Sequence, residues 1–435
     1  MGSAKRKRPA TKRSAPTAKE PVKKRPRMPG RARSGRNSVK IRMYNVGFGD
    51  CFLVTLPTTD GPRRILFDCG SIKSGGPSMD DILDQLWQDC TGADGVPTID
   101  VVVATHRHKD HVSGFSRAGW ADVRVREVWM PWTEHPTDPE AKRIRDVQAS
   151  LALLLDKALT AQLQAAPNDD RLLGLREMVS NALSNETAMT TLHEGFKGDP
   201  NRRFLPVKGE SSLQITSDAL PGVGIFVLGP SRDEDVIRDM DPPVGESYLR
   251  LAGSIRNGNG PPQPFDAGWQ TDAKPYLVSG LTPEDEEAIA QVGDLGPSVA
   301  VALDKAVNGT SLMLVLKVGS KHLLFPGDAQ WGTWLAAMTH SEAGEILRKT
   351  KFYKVGHHGS HNATPKDFVE TMMADGITSM VSTNKVAKWP NIPKAELIDA
   401  LGLKHVHLAR SDKPDEADSG VFEVHDNLYV DLDLT

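Results

Sequence analysis

Short apolar runs separated by turn-forming residues recur along most of this chain. Runs of this length, bounded by Gly, Pro, Asn and Asp, are typical of buried strands. In the first half they predict strands at Val39–Tyr44, Cys51–Leu56, Ile65–Phe67, Ile99–Thr105, Val123–Met130, Leu213–Thr216 and Gly224–Leu228. In the second half they predict strands at Ser311–Lys317, Lys321–Phe325, Phe352–Val355, Thr378–Ser382, His405–Ala409 and Val421–Val424.

Other segments have apolar residues at the helical spacing of three and four. They predict helices at Met79–Gln88, Ala141–Ala166, Arg171–Leu183, Thr187–His193, Trp331–Met338 and Pro365–Ala374. Strands in both halves with helices between them favour an α/β (α+β) fold. We expect two mixed sheets packed face to face with helices on the outside, an αββα four-layer sandwich.

The pattern also predicts where the sandwich begins and where it is interrupted. Residues 1–38 have almost no large apolar side chain and predict a disordered tail. Residues 39–435 are expected to form one domain. A helical insertion is expected at about 134–205, and a stretch rich in Pro, Gly and Asp predicts a loop-rich insertion at about 230–298.

Charge is divided unevenly between the tail and the body. The chain carries a net −3, but residues 1–40 hold 15 Lys or Arg against one acid. The remaining 38 basic and 55 acidic residues leave the body at −17. Clustered arginines suit phosphates, so the tail predicts contact with nucleic acid or, in a nucleus, a localisation signal. A merely solubilising tail is the alternative.

The sequence argues against a membrane protein and against a protein held together by disulfides. The longest apolar runs are too short to cross a bilayer, and no secretory signal is evident at the N-terminus. Three cysteines, at 51, 69 and 90, suggest neither a zinc finger nor a disulfide framework. We therefore expect no membrane partner and a cytoplasmic protein, nuclear if it is eukaryotic or targeted to a host.

The strand predicted at Ile99–Thr105 leads directly into four potential metal ligands. His106 and His108 are two residues apart, and Asp110 and His111 follow at once. Imidazole and carboxylate are ligands suited to Zn²⁺, Mn²⁺ or Fe²⁺. Three of the chain's 13 histidines within six residues make a chance polar loop a poor explanation.

Two later strands also end in chemistry-bearing residues. Lys321–Phe325 is followed by Asp328, and Phe352–Val355 is followed by His357 and His358. A bridging carboxylate and a further imidazole are what a dinuclear site lacks after the first motif. Each alone has a structural explanation, since Gly-Asp is more often a turn than a ligand.

Together these motifs resemble metallo-β-lactamase-fold hydrolases over residues 39–435, and within them the ComEC/Rec2 competence-protein branch. The resemblance lies in Asn45-Val-Gly-Phe-Gly-Asp50, Phe67-Asp-Cys-Gly70, His106-Arg-His-Lys-Asp-His111, Asn308 followed by Ser311-Leu-Met-Leu-Val, Gly327-Asp328, His357-His-Gly-Ser360 and Ala409-Arg-Ser-Asp412. It departs from the branch at Phe48, where Gln is usual, and at Cys69, where Thr is common.

The resemblance implies a ligand set for two divalent metal ions, Zn²⁺ first with Mn²⁺ or Fe²⁺ as alternatives. It assigns His106 and His108 to metal one, Asp110, His111 and His358 to metal two, and Asp328 to a bridge between them.

The resemblance also implies roles around the ligands. His357 would face the substrate's oxyanion, although its role and that of His358 could be exchanged. Asp68, with Asp50 as a weaker candidate, would orient a ligand imidazole from behind. A further histidine often completes metal one, and here either His193 or His135 could supply it. We prefer His193, at the end of a predicted helix.

These motifs predict a metal-dependent hydrolase that uses a metal-bridging hydroxide, with Asp110 as a catalytic residue. The resemblance and the basic tail favour a phosphodiesterase or nuclease, whereas the acidic body argues against one. Hydrolysis of a small ester or phosphoester in a closed pocket is the alternative. A nucleic-acid-binding protein with an inactive hydrolase domain is a third possibility, and metal content would distinguish it.

Overall fold

The computed structural model describes residues 38–72, 76–183, 185–243, 246–247, 296–360, 362–386, 389 and 391–435. Residues 1–37 of the predicted tail and most of the predicted loop at 230–298 therefore lie outside the described residues. Among the helices within these ranges, none is both long and apolar enough to cross a membrane.

Eight strands form the first sheet, in the order β14-β15-β1-β2-β3-β4-β5-β6. Strands β3, β4, β5 and β6 run parallel to one another, while β14, β15, β1, β2 and β3 pair antiparallel along the order. The strands are β1 Val39–Tyr44, β2 Phe52–Thr58, β3 Gly61–Phe67, β4 Thr98–Val103, β5 Arg124–Pro131, β6 Asn201–Leu205, β14 Phe422–His425 and β15 Tyr429–Leu434.

Seven strands form the second sheet, in the order β13-β12-β11-β10-β9-β8-β7. Here β10, β11, β12 and β13 are parallel, and β7 to β10 pair antiparallel. The strands are β7 Gln214–Ile215, β8 Gly224–Gly229, β9 Met313–Val318, β10 Lys321–Phe325, β11 Thr350–Lys354, β12 Thr378–Val381 and β13 His407–Arg410.

The described residues also form ten α-helices. They are α1 Met79–Cys90, α2 Lys109–Val112, α3 Pro139–Ala165, α4 Asp170–Leu183, α5 Glu186–Glu194, α6 Glu234–Arg238, α7 Gly296–Asn308, α8 Trp331–Thr339, α9 Ser341–Arg348 and α10 Ala395–Leu403. Shorter 3₁₀ turns lie at Ser113–Ser116, Trp120–Asp122, Trp132–Glu134, Gly356–Gly359 and Pro414–Glu416, and a π-helical turn at Phe368–Met372.

Local sequence explains why α3 begins where it does. The side chain of Asp138 accepts hydrogen bonds from the backbone N–H groups of Glu140 at 2.9 Å and Ala141 at 3.3 Å. Pro139 occupies the first helical position, where a missing N–H costs nothing. Such a cap stabilises a helix by about 1 kcal/mol, so the long insertion helix starts at a defined residue.

The main core lies between the two sheets. The rings of Phe67 on β3 and Phe325 on β10 stack there with centroids 4.0 Å apart, and Val54 and Leu314 are fully buried in the same cluster. Burying one such side chain contributes roughly 1.5–3 kcal/mol. Separate apolar clusters pack α1 and α5 on the first sheet, and α8, α9 and α10 on the second.

These layers confirm the predicted αββα sandwich with a helical insertion. The helices α3, α4 and α7 share an apolar cluster of their own. The predicted limits of this insertion were wrong at its end, because β6 at Asn201–Leu205 is an edge strand of the first sheet.

Several elements were not predicted. The strand β15 pairs with both β1 and β14, so it lies inside the first sheet. The helices α7, α9 and α10 were also missed, and α7 begins within the stretch that was predicted to be loop.

Candidate metal centre

The loop after β4 folds back over the end of its own strand. The short helix α2 begins immediately after His108, and the N–H groups of His111 and Val112 both donate to the His108 carbonyl, at 2.9 and 3.0 Å. This turn carries Asp110 and His111 toward the same buried space as His106. All the ligands predicted in this motif are at most 4% exposed.

Glycine lets two neighbouring loops approach this turn closely. A Cβ atom on Gly70 would lie 2.5 Å from the carbonyl carbon of His111, a distance that real structures essentially never show. The flanking backbone is fixed by two hydrogen bonds, from Asp50 N–H to the Asp110 carbonyl at 2.9 Å and from Cys69 N–H to the His111 carbonyl at 2.8 Å. The predicted motifs thus support one another through backbone contacts.

Asp68 supports the turn from behind, as the resemblance implied for it. Its carboxylate accepts from the Thr105 N–H and hydroxyl, each at 2.7 Å, and from His111 Nδ1 at 2.8 Å. Asp68 has a left-handed backbone with φ of 54°, which costs a non-glycine residue roughly 1–3 kcal/mol. The strained backbone of Asp68 therefore holds its carboxylate in contact with the imidazole of His111.

The imidazoles of His106 and His108 are oriented by their Nδ1 atoms. Because the Thr105 hydroxyl donates to Asp68, its oxygen accepts from His106 Nδ1, at 3.2 Å. His108 Nδ1 donates to Asn308 Oδ1 at 2.9 Å. Each Nε2 atom is then left with its lone pair, and His106 Nε2 lies 3.2 Å from His108 Nδ1. A ligand nitrogen needs this tautomer.

His111 and His358 are oriented in the same way. His111 donates from Nδ1 to Asp68, and His358 donates from Nδ1 to the Ser382 carbonyl at 2.8 Å. Their Nε2 atoms face carboxylate oxygens, Asp328 Oδ2 at 3.2 Å and Asp110 Oδ2 at 3.1 Å. A lone pair and a carboxylate oxygen both accept hydrogen bonds, so each contact requires a proton or a cation between the two atoms.

The charges in this cluster respond to one another. Burial works against charge on His111, but Asp328 and Asp68 outweigh it and raise its pKa well above the usual value. Burial would likewise favour protonated Asp110 and Asp328, yet His111 holds the pKa of both carboxyls well below the usual range. Burial lowers the pKa of His108 to about 4, so that imidazole stays neutral and able to bind a cation.

Ligand atoms meet in overlapping groups within 4.8 Å of one another. Three such groups share His111, and they are His106 with His111 and Asp328, Asp110 with His111 and His358, and Asp50 with Asp68 and His111. The second group matches the set predicted for metal two. Asp328 is grouped with His106 and His111, which belong to different predicted metal sets, whereas His108 is in none of the groups found among the described residues.

Of the adjacent histidines after β11, His358 lies within the ligand cluster. His357 is outside it, with Nε2 3.9 Å from Asp328 Oδ2 and 17% of its side chain exposed. Both have left-handed backbones, with φ of 45° and 54°. The tight turn thus places the His358 ring inside the cluster and leaves the His357 ring beside it, partly exposed.

Lys354 and Asp50 form a buried ion pair beneath the cluster. Lys354 Nζ contacts Asp50 Oδ2 and lies 3.7 Å from Asp328 Oδ1. Burial disfavours the lysine charge, but Asp50 and Asp328 outweigh it and raise the pKa to about 12. Asp50 Oδ2 is also 3.7 Å from His111 Nδ1, so the predicted supporting role of Asp50 has a geometric basis.

Neither histidine proposed as a further ligand of metal one reaches the cluster. His193 packs on Phe204 with ring centroids 5.8 Å apart, and its pKa is lowered by burial, with Glu134 and Arg145 as its charged neighbours. His135 accepts at Nδ1 from the N–H groups of Thr137 and Asp138. The preference for His193 is corrected, because α5 turns that residue onto the face of β6.

Three residues that the sequence did not single out as site residues enter the cluster from the helical insertion. Asn181 on α4 donates from Nδ2 to Asp110 Oδ1 at 3.2 Å. Asn308 at the end of α7 accepts from His108, and Asp304 one turn earlier lies 3.8 Å from His108 Nε2. The i, i+4 spacing of Asp304 and Asn308 places both on one face of a helix and was the signal in the sequence for these two residues. It could be recognised only if the helix α7 was predicted first.

The donor set fits divalent cations. Its members are imidazole nitrogens and carboxylate oxygens that are oriented from behind by hydrogen bonds, as in known metal centres. Asp50 Oδ1 and His108 Nε2 are also buried without a hydrogen-bond partner in the described structure. The cysteines take no part as ligands in the groups found among these residues.

No protein-family model and no curated protein matches the chain. Among solved structures, zinc-bound PqqB from Methylobacterium extorquens resembles it with 11% sequence identity and a TM-score of 0.35. The match covers 83% of this chain and 85% of that chain. A likeness at this level carries no argument about chemistry, so the properties of the site follow from its own geometry.

Proposed function

We propose that this protein is a metal-dependent hydrolase and that its substrate is a phosphodiester of DNA or RNA. The observation that carries the proposal is the pair of contacts in which His111 Nε2 faces Asp328 and His358 Nε2 faces Asp110, at 3.2 and 3.1 Å. Anchored imidazoles facing carboxylates across a buried space are the donor set of dinuclear hydrolases.

The ligands divide between two cations. His106 and His108 would hold one, and Asp110, His111 and His358 the other, with Asp328 between them. When bound, the cations supply a water that ionises near neutral pH and positive charge to neutralise the substrate's oxygens.

Asp110 and His357 have distinct tasks in this proposal. Asp110 is fixed by Asn181 on one oxygen and faces His358 with the other, so it can orient the attacking water. His357 is 17% exposed, and its Nε2 lies 3.9 Å from Asp328 Oδ2, beside the ligand cluster. It can therefore donate to a phosphoryl oxygen or to the leaving group. Lys354 is a poor proton donor, because its pKa is raised to about 12.

The charge of the site favours binding of an anionic phosphodiester only when the metal cations are bound. The carboxylates of Asp50, Asp68, Asp110, Asp304 and Asp328 surround the site and would repel an anion. Residues 1–40, with 15 Lys or Arg against one acid, offer a second source of attraction for polyanions. The resemblance to the ComEC/Rec2 branch favours the same substrate class, and we propose that the tail contacts nucleic acid.

One observation favours a small ester or phosphoester instead. Two helices of the insertion reach the metal centre, α4 through Asn181 and α7 through Asn308. Helices that contact ligands restrict the approach to the metals, and a restricted approach suits a small substrate better than a duplex. Under this alternative the tail has no part in turnover.

The test begins with zinc and manganese content, followed by cleavage assays. The substrates are bis-p-nitrophenyl phosphate, single- and double-stranded DNA, RNA, a β-lactam and a small carboxylic ester. The variant Asp110→Ala should lose metal and cleavage together. The matched control is Asp399→Ala, an exposed acid on α10. Failure of the wild type to bind metal or to cleave any substrate would overturn the proposal, as would cleavage that survives Asp110→Ala.

Removal of residues 1–38 separates the two substrate classes. Nucleic-acid cleavage should weaken and lose its salt dependence in the shortened chain, because phosphate contacts are released by salt. Cleavage of bis-p-nitrophenyl phosphate should remain. Unchanged nucleic-acid cleavage would instead favour the small-substrate alternative.

A further inference from the structure

We propose that Asp304, on the insertion helix α7, is the further protein ligand of the cation held by His106 and His108. This inference rests on the proposed metal dependence and adds to it a carboxylate in the place where an additional histidine was expected. The two histidines considered for that place, His193 and His135, lie outside the cluster.

The first observation is a buried nitrogen that lacks a partner. His108 Nε2 makes no hydrogen bond in the described structure, although His108 is only 1% exposed. Leaving a polar atom in this state costs about 1–3 kcal/mol unless something else binds it. The carboxylate oxygen that lies near it is Asp304 Oδ1, at 3.8 Å.

The second observation is that Asn308 fixes both groups. Its Oδ1 accepts from His108 Nδ1 at 2.9 Å, while its Nδ2 donates to Asp304 Oδ2 at 3.3 Å. The far sides of both groups are thereby occupied. His108 Nε2 and Asp304 Oδ1 remain free to face each other, which is how an outer residue orients two ligands of one metal.

The separation of these atoms is suitable for a shared cation. Two ligand atoms about 2.0–2.2 Å from a tetrahedral zinc lie roughly 3.4 Å apart. The observed 3.8 Å is a few tenths of an ångström longer. A small rotation of either side chain is enough to close this difference.

The surroundings of Asp304 lack the counter-charge that a structural carboxylate normally has. The adjacent Lys305 pairs with Asp241 instead. The acids Asp110 and Asp328 are the nearby charges that act on Asp304, together with Lys305. A carboxylate placed among other carboxylates is stabilised by a cation, and the cation proposed here lies between them.

The inference is tested by measuring metal binding directly. Wild type, Asp304→Asn and Asp304→His are titrated with Co²⁺ and Zn²⁺ against a competing chelator, with the Co²⁺ absorption spectrum recorded at each step. Wild type should bind two ions. Asp304→Asn should keep one and bind the other at least about 100-fold more weakly, more than the roughly 10–100-fold cost of losing an outer partner.

Asp304→His should recover tight binding of both ions, with a changed Co²⁺ spectrum because an imidazole replaces a carboxylate. This variant also allows the metal-binding test to be made if Asp304→Asn fails to fold. The matched control is Asp241→Asn, which removes an exposed acid that pairs with the same helix. It should bind both ions as wild type does.

The outcomes separate this inference from the proposed function. Wild type that binds no metal would overturn both. Wild type that binds two ions, with Asp304→Asn binding both equally tightly, would overturn only the role of Asp304. A loss below about 100-fold with an unchanged Co²⁺ spectrum would also overturn it, since Asp304 would then act from outside the metal's ligand shell.

Discussion

Two of the places where charge is buried in the first sheet are the site edge after β4 and the pairing of β1 with β15. At the second place Arg42 makes a bidentate pair with Asp431, with both N–O distances at 2.7 Å, and Lys40 reaches the same carboxylate at 2.7 Å. The Arg42 guanidinium also lies 3.5 Å from the centre of the Tyr429 ring. The acid is matched by cations that the chain itself supplies.

The metal centre is organised in the opposite way. Five carboxylates lie among its imidazoles, and Lys354 contacts two of them, Asp50 and Asp328. The Nε2 atoms of His111 and His358 face carboxylate oxygens, and each contact requires a proton or a cation between the two atoms. The comparison teaches that buried acids can be stabilised by the chain's own arginine and lysine, as at Asp431, or by added ions, as proposed for the metal centre.

The largest expected effect is on catalysis. Asp328→Asn should lower kcat/KM for the cleaved substrate roughly 10⁴-fold, or about 5.5 kcal/mol, because it removes the carboxylate between the two proposed cations. Steady-state kinetics on purified protein would measure it. The comparison fails if Asp431→Asn, in the self-sufficient cluster, lowers kcat/KM by as much while the protein remains folded.

The next effect is on stability. Asp431→Asn should lower the free energy of unfolding by about 3–4 kcal/mol, since it leaves Arg42 buried without its main partner. Urea unfolding followed by circular dichroism would measure this with and without chelator. The loss should be the same in both conditions, and a loss seen only in one would show that the two clusters are coupled.

Each bound metal ion should stabilise the protein by a smaller amount. An ion present at a hundredfold excess over its Kd adds about 2.7 kcal/mol per site to the free energy of unfolding. Chelation should remove this increment from wild type and from Asp431→Asn alike. Thermal unfolding with and without Zn²⁺ provides the measurement. An unchanged Tm would contradict the proposal that the metal centre is stabilised by bound ions.

Acid should affect the Arg42 cluster through Asp431. Burial would favour the protonated form, but the hydrogen bonds and charge of Arg42 lower the pKa of Asp431 below its usual value. Its stabilising contribution is therefore complete above the pKa of about 3.9 in the unfolded chain, and is lost as pH falls through the lower folded value. Each pH unit by which folding lowers the pKa of Asp431 adds about 1.4 kcal/mol to the free energy of unfolding.

The measurement is the free energy of unfolding between about pH 5 and pH 2 for wild type and Asp431→Asn in chelator. The variant should show a shallower decrease with acid. Equal slopes for the two proteins would mean that Asp431 does not titrate differently in the folded and unfolded states.

Much of the sandwich and most of the metal centre follow from local sequence patterns. Buried strands such as β4 have continuous apolar runs, and ligands placed just after strand ends were recognisable as a group. The strand β15, with alternating Val430, Leu432 and Leu434, carried a clear period of two that was overlooked. The edge strand β6 begins Asn201-Arg-Arg and lacks such a signal, because it is only partly buried.

The parts that could not be predicted depend on tertiary contacts. The i, i+4 spacing of Asp304 and Asn308 does not by itself mark Asp304 as a ligand, because its position beside His108 results from the packing of α7 on α3 and α4. His193 was preferred because its helix ends at a glycine. Its actual environment, on Phe204, depends on β6 joining the sheet, which the sequence pattern did not predict.

The left-handed backbone of His357 has a consequence for selection. Glycine would adopt this conformation without strain, so replacement by glycine would relax the turn while removing a side chain that is proposed to face the substrate. His357 is 17% exposed, so its loss would leave less of a cavity than loss of the fully buried His358. Stability and activity would therefore oppose each other at His357. A laboratory selection for heat resistance alone would be expected to accumulate substitutions there, and the surviving proteins would be hardier and inert.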